Sequence, residues 1–247
     1  MHSGKNIALL IPARNEALSL PAVLAAVPAW TDRVMVVDNG SDDGTAAVAR
    51  RFGAEVVAEP VPGYGQACLA GLAALRENPP DILVFADADG SDDLATLEGL
   101  LRPLVSGRAD FALANRVPTE IRALTPQQRF GNWLATRLIR LVWGYGYGDL
   151  GPMRAMNWAD LERLHMRDRD FGWTVEMQIK AVQRRLRIRQ IPSPYRPRVA
   201  GRSQISGTVR GVVSAGFKIL WVIGREACQE KKGQAVLLWR RWNSVSR

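Results

Sequence analysis

The chain has 247 residues, 47% of them hydrophobic, which excludes a disordered protein and allows one large domain with a sizeable core. A formal net charge of +9 at pH 7 points to an anionic partner: nucleic acid, a membrane surface or phosphorylated ligands. Cys68 and Cys228 stand far apart in no metal or redox spacing, no leader-like segment opens the chain, and no uncharged apolar run approaches the length of a membrane span. The expectation is a cytosolic protein without a disulfide framework or a transmembrane helix.

The first half alternates strand-like and helix-like segments. Ile7–Ile11 reads as a buried strand ending in Pro12-Ala13-Arg14-Asn15-Glu16, with a helical pattern following through Leu18, Val23, Leu24 and Val27. Val34–Val37 is a second strand; it ends in Asp38-Asn-Gly-Ser-Asp42-Asp-Gly-Thr45 ahead of a helix to about Phe52. Glu55–Ala58 is the third, leading through Pro60-Val-Pro-Gly-Tyr-Gly65 to a helix ending near Arg76. A fourth strand starts at Ile82, a helix follows from about Leu94, and Phe111–Ala114 is the fifth strand. Strands alternating with helices of this length imply βαβ units and a mostly parallel sheet.

In such a sheet, ligands bind along the rim formed by the carboxyl ends of the strands. The fourth strand runs straight into Asp87-Ala88-Asp89, followed by Gly90, Ser91, Asp92 and Asp93. Two carboxylates spaced i, i+2 on a loop can converge on one hard cation, and Mg²⁺ or Mn²⁺ accepts one or two carboxylates plus substrate phosphates. Asp92 or Asp93 also suits capping of the next helix, as Ser41 or Asp42 does after the second strand. Asp38 is placed to hold a ribose hydroxyl or a base edge. Gly63 and Gly65 would let the backbone approach a ligand closely.

Ile11-Pro-Ala-Arg-Asn-Glu16, Val36-Val-Asp-Asn-Gly-Ser-Asp-Asp-Gly-Thr45 and Asp87-Ala-Asp89 resemble the family 2 glycosyltransferases of the GT-A fold. Asp149-Leu-Gly-Pro-Met-Arg-Ala155, Phe171-Gly-Trp-Thr-Val-Glu-Met177 and Gly201-Arg-Ser-Gln-Ile-Ser206 look like acceptor-side motifs of the dolichol-phosphate mannose synthase branch. The resemblance implies a nucleotide-sugar half over 1–118, an acceptor-side half of the same domain over 119–208, and an amphipathic basic extension over 209–247. It implies that Pro12, Ala13, Arg14, Glu16, Asp38, Asp42 and Gly65, with Ala88 between the two carboxylates, surround a UDP- or GDP-hexose. Asp87 and Asp89 would hold the metal that bridges its diphosphate, and Arg202 would close on that diphosphate. Arg116 matches a position that contacts an acceptor phosphate. Ser91 stands where these synthases often have Gln, and Gln204 where they often have Lys.

Arg129–Val142 forms an amphipathic helical pattern, with Arg129, Arg137 and Arg140 within about 80° on a helical wheel and Phe130, Leu134, Leu138, Leu141 and Val142 opposite. Arg129 and Arg137 join Arg116 as candidate ligands of an acceptor phosphate. Val209–Arg225 is a second such helix, about 25 Å long against a hydrocarbon core of about 30 Å. Tryptophans beside arginines follow at Trp239–Trp242, a pairing suited to the headgroup layer. The expected function is therefore inverting transfer of a hexose to a polyprenyl phosphate, by a protein lying peripherally on the cytoplasmic face of an anionic membrane. No nucleic-acid-binding signature appears. A soluble hydroxyl acceptor would instead need a carboxylate base, for which Asp149 and Glu176 are the candidates. Val84–Ser91 also resembles the nucleophile motif of haloacid-dehalogenase-type phosphatases, but that motif usually opens its domain, and here three strand–helix units precede it.

Overall fold

The computed structural model describes residues 2–200 and 216–230. Seven strands are formed: β1 (Ile7–Ala13), β2 (Arg33–Asp38), β3 (Glu55–Ala58), β4 (Ile82–Phe85), β5 (Phe111–Pro118), β6 (Arg154–Asn157) and β7 (Ile188–Tyr195). Between them lie α1 (Leu20–Ala25), α2 (Thr45–Arg51), α3 (Tyr64–Leu75), α4 (Leu97–Val105), α5 (Pro126–Trp143), α6 (Trp158–Leu164) and α7 (Trp173–Gln183). Residues 216–230 are helical and are called α8.

The strands make one sheet in the order β3-β2-β1-β4-β6-β5-β7. All pairings are parallel except those of β6, which runs antiparallel to both β4 and β5. Alternate residues of β1 enter different cores. Ile7, Leu9 and Ile11 face a layer containing α1 and α4, while Ala8 and Leu10 face one containing α3, α5, α6, α7 and α8. Burial on both faces is what the unbroken apolar runs of these strands require.

β1 extends two residues past its predicted end, through Pro12. Its pairing with β4 stops at Leu10↔Phe85, so the missing N–H of Pro12 faces a side that β4 has already left. This release opens the sheet between β1 and β4, at the point where the strand order turns back on itself. Leu94–Thr96 is a 3-10 turn rather than the start of a full helix, with Asp93 accepting the Ala95 N–H as its cap. After β2 the capping falls to Asp43, whose carboxylate takes the Thr45 and Ala17 N–H groups, and neither Ser41 nor Asp42 fills that place. α5 begins three residues earlier than its apolar pattern, because Thr125 and Gln128 form a reciprocal capping box ahead of Arg129.

The loop before α7 is pressed onto the start of α3. The Gln66 N–H donates to the Arg169 carbonyl at 2.8 Å. A Cβ at Gly63 would lie 2.2 Å from the Arg169 carbonyl oxygen, and one at Gly65 2.1 Å from that of Asp168. What Gly65 approaches closely is thus the chain itself. Because the obstruction is backbone, Gly65→Ala should displace this loop and cost about 1–3 kcal/mol of stability, read as a lower urea midpoint at unchanged slope.

Candidate active site

The parallel strand ends converge on a cleft of about 430 Å³. Pro12, Ala13, Arg14 and Glu16 line one side, and Asp87, Ala88 and Asp89 the floor beyond β4. Asp170, Phe171 and Arg198 close it. Most of the predicted donor-side residues therefore meet in one place. Asp38, Asp42 and Gly65 do not line this cleft. Asp38 accepts the Ser41 N–H and shapes its own turn, and Asn39 takes the place at the wall. The Asn39 amide donates to the Glu59 and Val61 carbonyls and accepts from the Gly63 N–H, holding the third strand's loop against the second. Arg202 and Gln204 lie outside the described residues.

The loop after β4 concentrates negative charge. Asp87 Oδ1 is buried with no hydrogen-bond partner, and the Asp87 N–H donates to Asp92 Oδ2 at 3.3 Å. Asp89 Oδ1 accepts the Ser91 N–H at 2.9 Å. Burial, with the charges of Asp92 and Asp89 behind it, pushes the Asp87 carboxyl well above its ordinary range, against the pull of the Tyr64 hydroxyl. Burial pushes Asp92 up to about 7, opposed by the Asp87 N–H and reinforced by the Asp89 charge. An orphaned carboxylate oxygen crowded by like charges fits a cation. Among the described residues no three His, Cys, Asp or Glu side chains are grouped to hold a metal by themselves. Two carboxylates completed by phosphate oxygens are the arrangement Mg²⁺ and Mn²⁺ commonly adopt.

Arg116, at the far end of β5, holds Asp149 through two parallel bonds, Nε–Oδ2 at 2.7 Å and Nη2–Oδ1 at 2.8 Å, with its own N–H also on Oδ2. The guanidinium lies 5.1 Å over the Tyr195 ring. Both oxygens of Asp149 are therefore engaged. Glu176, fully buried on α7, is engaged too: Oε2 takes the N–H groups of Arg167 and Asp168, and Oε1 pairs with Lys180 at 2.8 Å and Arg225 at 2.9 Å. The two candidate bases are counter-ions of structural cations, which is the supporting role open to each of them. Arg129 donates to the Leu124 and Ile121 carbonyls, and Arg137 stacks 6.0 Å over Trp133. Of the three expected phosphate ligands, only Arg116 lines a cavity adjoining the cleft.

That cavity is an apolar groove of about 730 Å³ between α5 and α8. Phe130, Leu134, Leu150, Ile219 and Leu220 line it along with Arg116, and Phe171 belongs to both groove and cleft. The polarity of α8 differs from the expected one. Lys218 pairs with buried Asp168 at 3.2 Å, and Arg225 with Glu176 and Glu226, while Phe217, Leu220 and Trp221 are exposed. These two cations are neutralised inside the protein and are not free to meet an anionic surface. No helix among the described residues is long and apolar enough to cross a membrane.

The profile of Glycosyl transferase family 2 matches residues 8–162. The chain belongs to that family. It is 38% identical over 213 residues to an uncharacterised glycosyltransferase of Mycobacterium tuberculosis, covering 86% of this chain and 95% of that one. A dolichyl-phosphate hexose transferase of Haloferax volcanii is 30% identical over 210 residues, covering 81% and 86%. Among solved structures, glucosyl-3-phosphoglycerate synthase from M. tuberculosis, in complex with Mn²⁺, UDP-glucose and phosphoglyceric acid, superposes with a TM-score of 0.72 at 22% identity. That match covers 91% of this chain and 80% of that one, and it shows a common GT-A fold. This glycosyltransferase is a hexosyltransferase by its family, and the phosphatase alternative falls away.

Several residues lining the cleft were given no role of their own from sequence: Asn39, Tyr64, Asp170, Phe171, Arg198 and, beneath it, Arg154. Arg154 is wholly buried in β6 with its guanidinium donating to the Pro152, Thr174 and Gly151 carbonyls. It stands within electrostatic reach of Tyr64, Cys68 and Asp87. The available signal was an arginine opening a short strand, ahead of Ala155 and Met156.

Asp92 makes stability depend on pH. The native carboxyl keeps its proton to about 7, whereas the unfolded chain releases it near 3.8. Between those values the native state binds more protons, so stability falls as pH rises. Urea unfolding in the presence of chelator should show this fall from about pH 4 to 7, by at most roughly 1 kcal/mol per pH unit for one group. Asp92→Asn should lessen it without abolishing it, because the raised Asp87 carboxyl contributes a fall of the same sign.

Proposed function

We propose that this glycosyltransferase moves a hexose from a nucleotide-diphosphate sugar to a polyprenyl-type lipid phosphate at a membrane surface, inverting the anomeric carbon. The observation that carries the reading is the apolar groove running from the cleft at Phe171, with Arg116 in its wall. A long hydrocarbon acceptor needs such a channel beside the sugar site, and a small soluble acid does not. The dolichyl-phosphate hexose transferase relative has a name of the same class.

Pro12, Arg14 and Glu16 lie toward the nucleoside, and Asp87 and Asp89 would hold the divalent cation. A bound Mg²⁺ or Mn²⁺ supplies neutralisation of the charge that grows on the departing diphosphate. By the family resemblance, Arg202 would add a second positive group there. Arg116 orients the acceptor phosphate, and its bond to Asp149 fixes the guanidinium plane in advance. A phosphate oxygen then bonds to the anomeric carbon as the bond from that carbon to the diphosphate oxygen breaks, releasing the nucleoside diphosphate. The acceptor is already anionic at neutral pH and needs no proton removed. The commitment of both Asp149 and Glu176 to cations is consistent with chemistry that uses no general base.

Exposed Phe130, Trp133, Leu141, Phe217 and Trp221 on α5 and α8 flank the groove and supply apolar contact with a bilayer. Binding of this kind is peripheral and reversible.

Asp89→Asn should abolish transfer while the fold is kept, because it removes a ligand from a half-exposed loop. Activity undiminished in that variant, or in wild type with excess chelator, would refute the metal-assisted reading. The acceptor is tested by comparing polyprenyl phosphate in anionic vesicles with 3-phosphoglycerate. Turnover should occur with the lipid, and Leu134→Asp or Leu220→Asp should reduce it at least tenfold while sparing slow hydrolysis of the donor. Turnover with 3-phosphoglycerate alone would identify a soluble acceptor.

A further inference from the structure

We propose that Asp170, with the ring of Phe171 beside it, recognises hydroxyl groups of the donor hexose and so sets donor specificity. The proposal rests on reading the 430 Å³ cleft as a nucleotide-sugar site.

Position is the first argument. The anomeric carbon must be reached by the diphosphate from the Asp87–Asp89 floor and by the acceptor from the apolar groove. Phe171 is shared by cleft and groove, so the reacting carbon lies near it, and the hexose ring occupies the part of the cleft that Asp170 and Phe171 wall.

The second argument is availability. Four carboxylates line the cleft: Glu16, Asp87, Asp89 and Asp170. Glu16 is held by Arg198 and the Ser19 hydroxyl. Asp87 and Asp89 are the cation's ligands under the reading above. Asp170 makes no ion pair among the described residues; the Lys218 charge, itself paired with Asp168, acts on it from beyond ion-pair distance, and its close donor is the N–H of Phe171. A further negative charge in a pocket built for a diphosphate is unfavourable unless it meets neutral donors. Sugar hydroxyls are such donors. Two oxygens of one carboxylate can accept from a vicinal pair, and an adjacent ring offers an apolar face to the sugar's C–H groups.

Rigidity is the third. Asp168 Oδ1 accepts the N–H groups of Asp170 at 2.9 Å and Gly172 at 3.1 Å. Asp168 is itself buried and paired with Lys218, and the Arg169 carbonyl is tied to the Gln66 N–H. Asp170 therefore sits on a loop fixed from both ends, and a preorganised acceptor discriminates between sugars better than a mobile one.

Calorimetry on the full chain with Mn²⁺ tests this, using UDP-glucose and GDP-mannose together with UDP and GDP. Asp170→Ala should weaken binding of the nucleotide sugar about 10- to 100-fold, the range of a charged hydrogen bond, and leave the free nucleoside diphosphate within about twofold. Asp170→Asn should lie between. Donors lacking one hydroxyl at a time should include one whose loss costs wild type about tenfold and costs Asp170→Ala nothing more. Equal weakening of nucleotide and nucleotide sugar would overturn the proposal and make Asp170 a structural group. Unchanged donor affinity with lost turnover would overturn it in favour of a general base. Failure of wild type to bind either nucleotide sugar would bring down the reading of the cleft, and this proposal with it.

Discussion

Like charge crowded at the end of one strand is the constraint around which the molecule is built. Asp87, Asp89 and Asp92 lie within six residues of loop, and each raises the cost of ionising the buried Asp87 or Asp92. Such a loop is tolerable in a folded protein only if cations are near, and the fold provides two protein ones. Arg154 arrives from β6, the antiparallel neighbour of β4, and Arg116 from β5, one strand farther along. Neither arginine touches the carboxylates directly. They ease the ionisation of these carboxylates without filling the place a divalent ion would take.

The same crowding explains why the nearby loop is stitched so firmly. The Arg196 N–H donates to the Ser91 carbonyl and the Val199 N–H to that of Asp89, and Asp92 forms an isolated bridge with Tyr195. Chain from beyond β7 thus seals the acidic loop on one side, and it ends at Arg198 in the cleft. Backbone hydrogen bonds carry most of this seal, and the Arg196 guanidinium adds an ion pair with Asp93 at 3.0 Å.

Much of the first half of the fold was legible in the sequence because β1, β2 and β4 are largely buried and their apolar runs unbroken; β4 starts at Ile82 as predicted, and β3 formed at its predicted bounds although it is a partly exposed edge. β7 was hidden for a physical reason. Ile188–Tyr195 carries Pro192 and Pro194, which read as strand breakers and are admissible only because β7 is an edge. β6 is four residues long and contains a buried arginine, against every strand signal. At the site, residue types at the strand ends were readable, since carboxylates after an apolar run have few other uses. What Asp149 and Glu176 do was not, because their partners Arg116 and Arg225 stand 33 and 49 residues away. A carboxylate looks the same in sequence whether it removes a proton or balances a cation.

The ion pairs of α8 also bear on how a long acceptor could enter. Lys218 and Arg225 reach inward to Asp168 and Glu176, whose side chains are fully shielded from solvent. Swinging α8 aside would leave both carboxylates buried without those partners, a loss on the order of several kcal/mol. The two walls of the groove are therefore not hinged like a clamshell. Under the proposed lipid acceptor, an isoprenoid chain would have to thread lengthwise between these walls, phosphate leading, and whatever lay beyond the groove's length would go unread. An enzyme built this way would measure the head of its lipid and the first few units of its tail, and be indifferent to how far the rest extends.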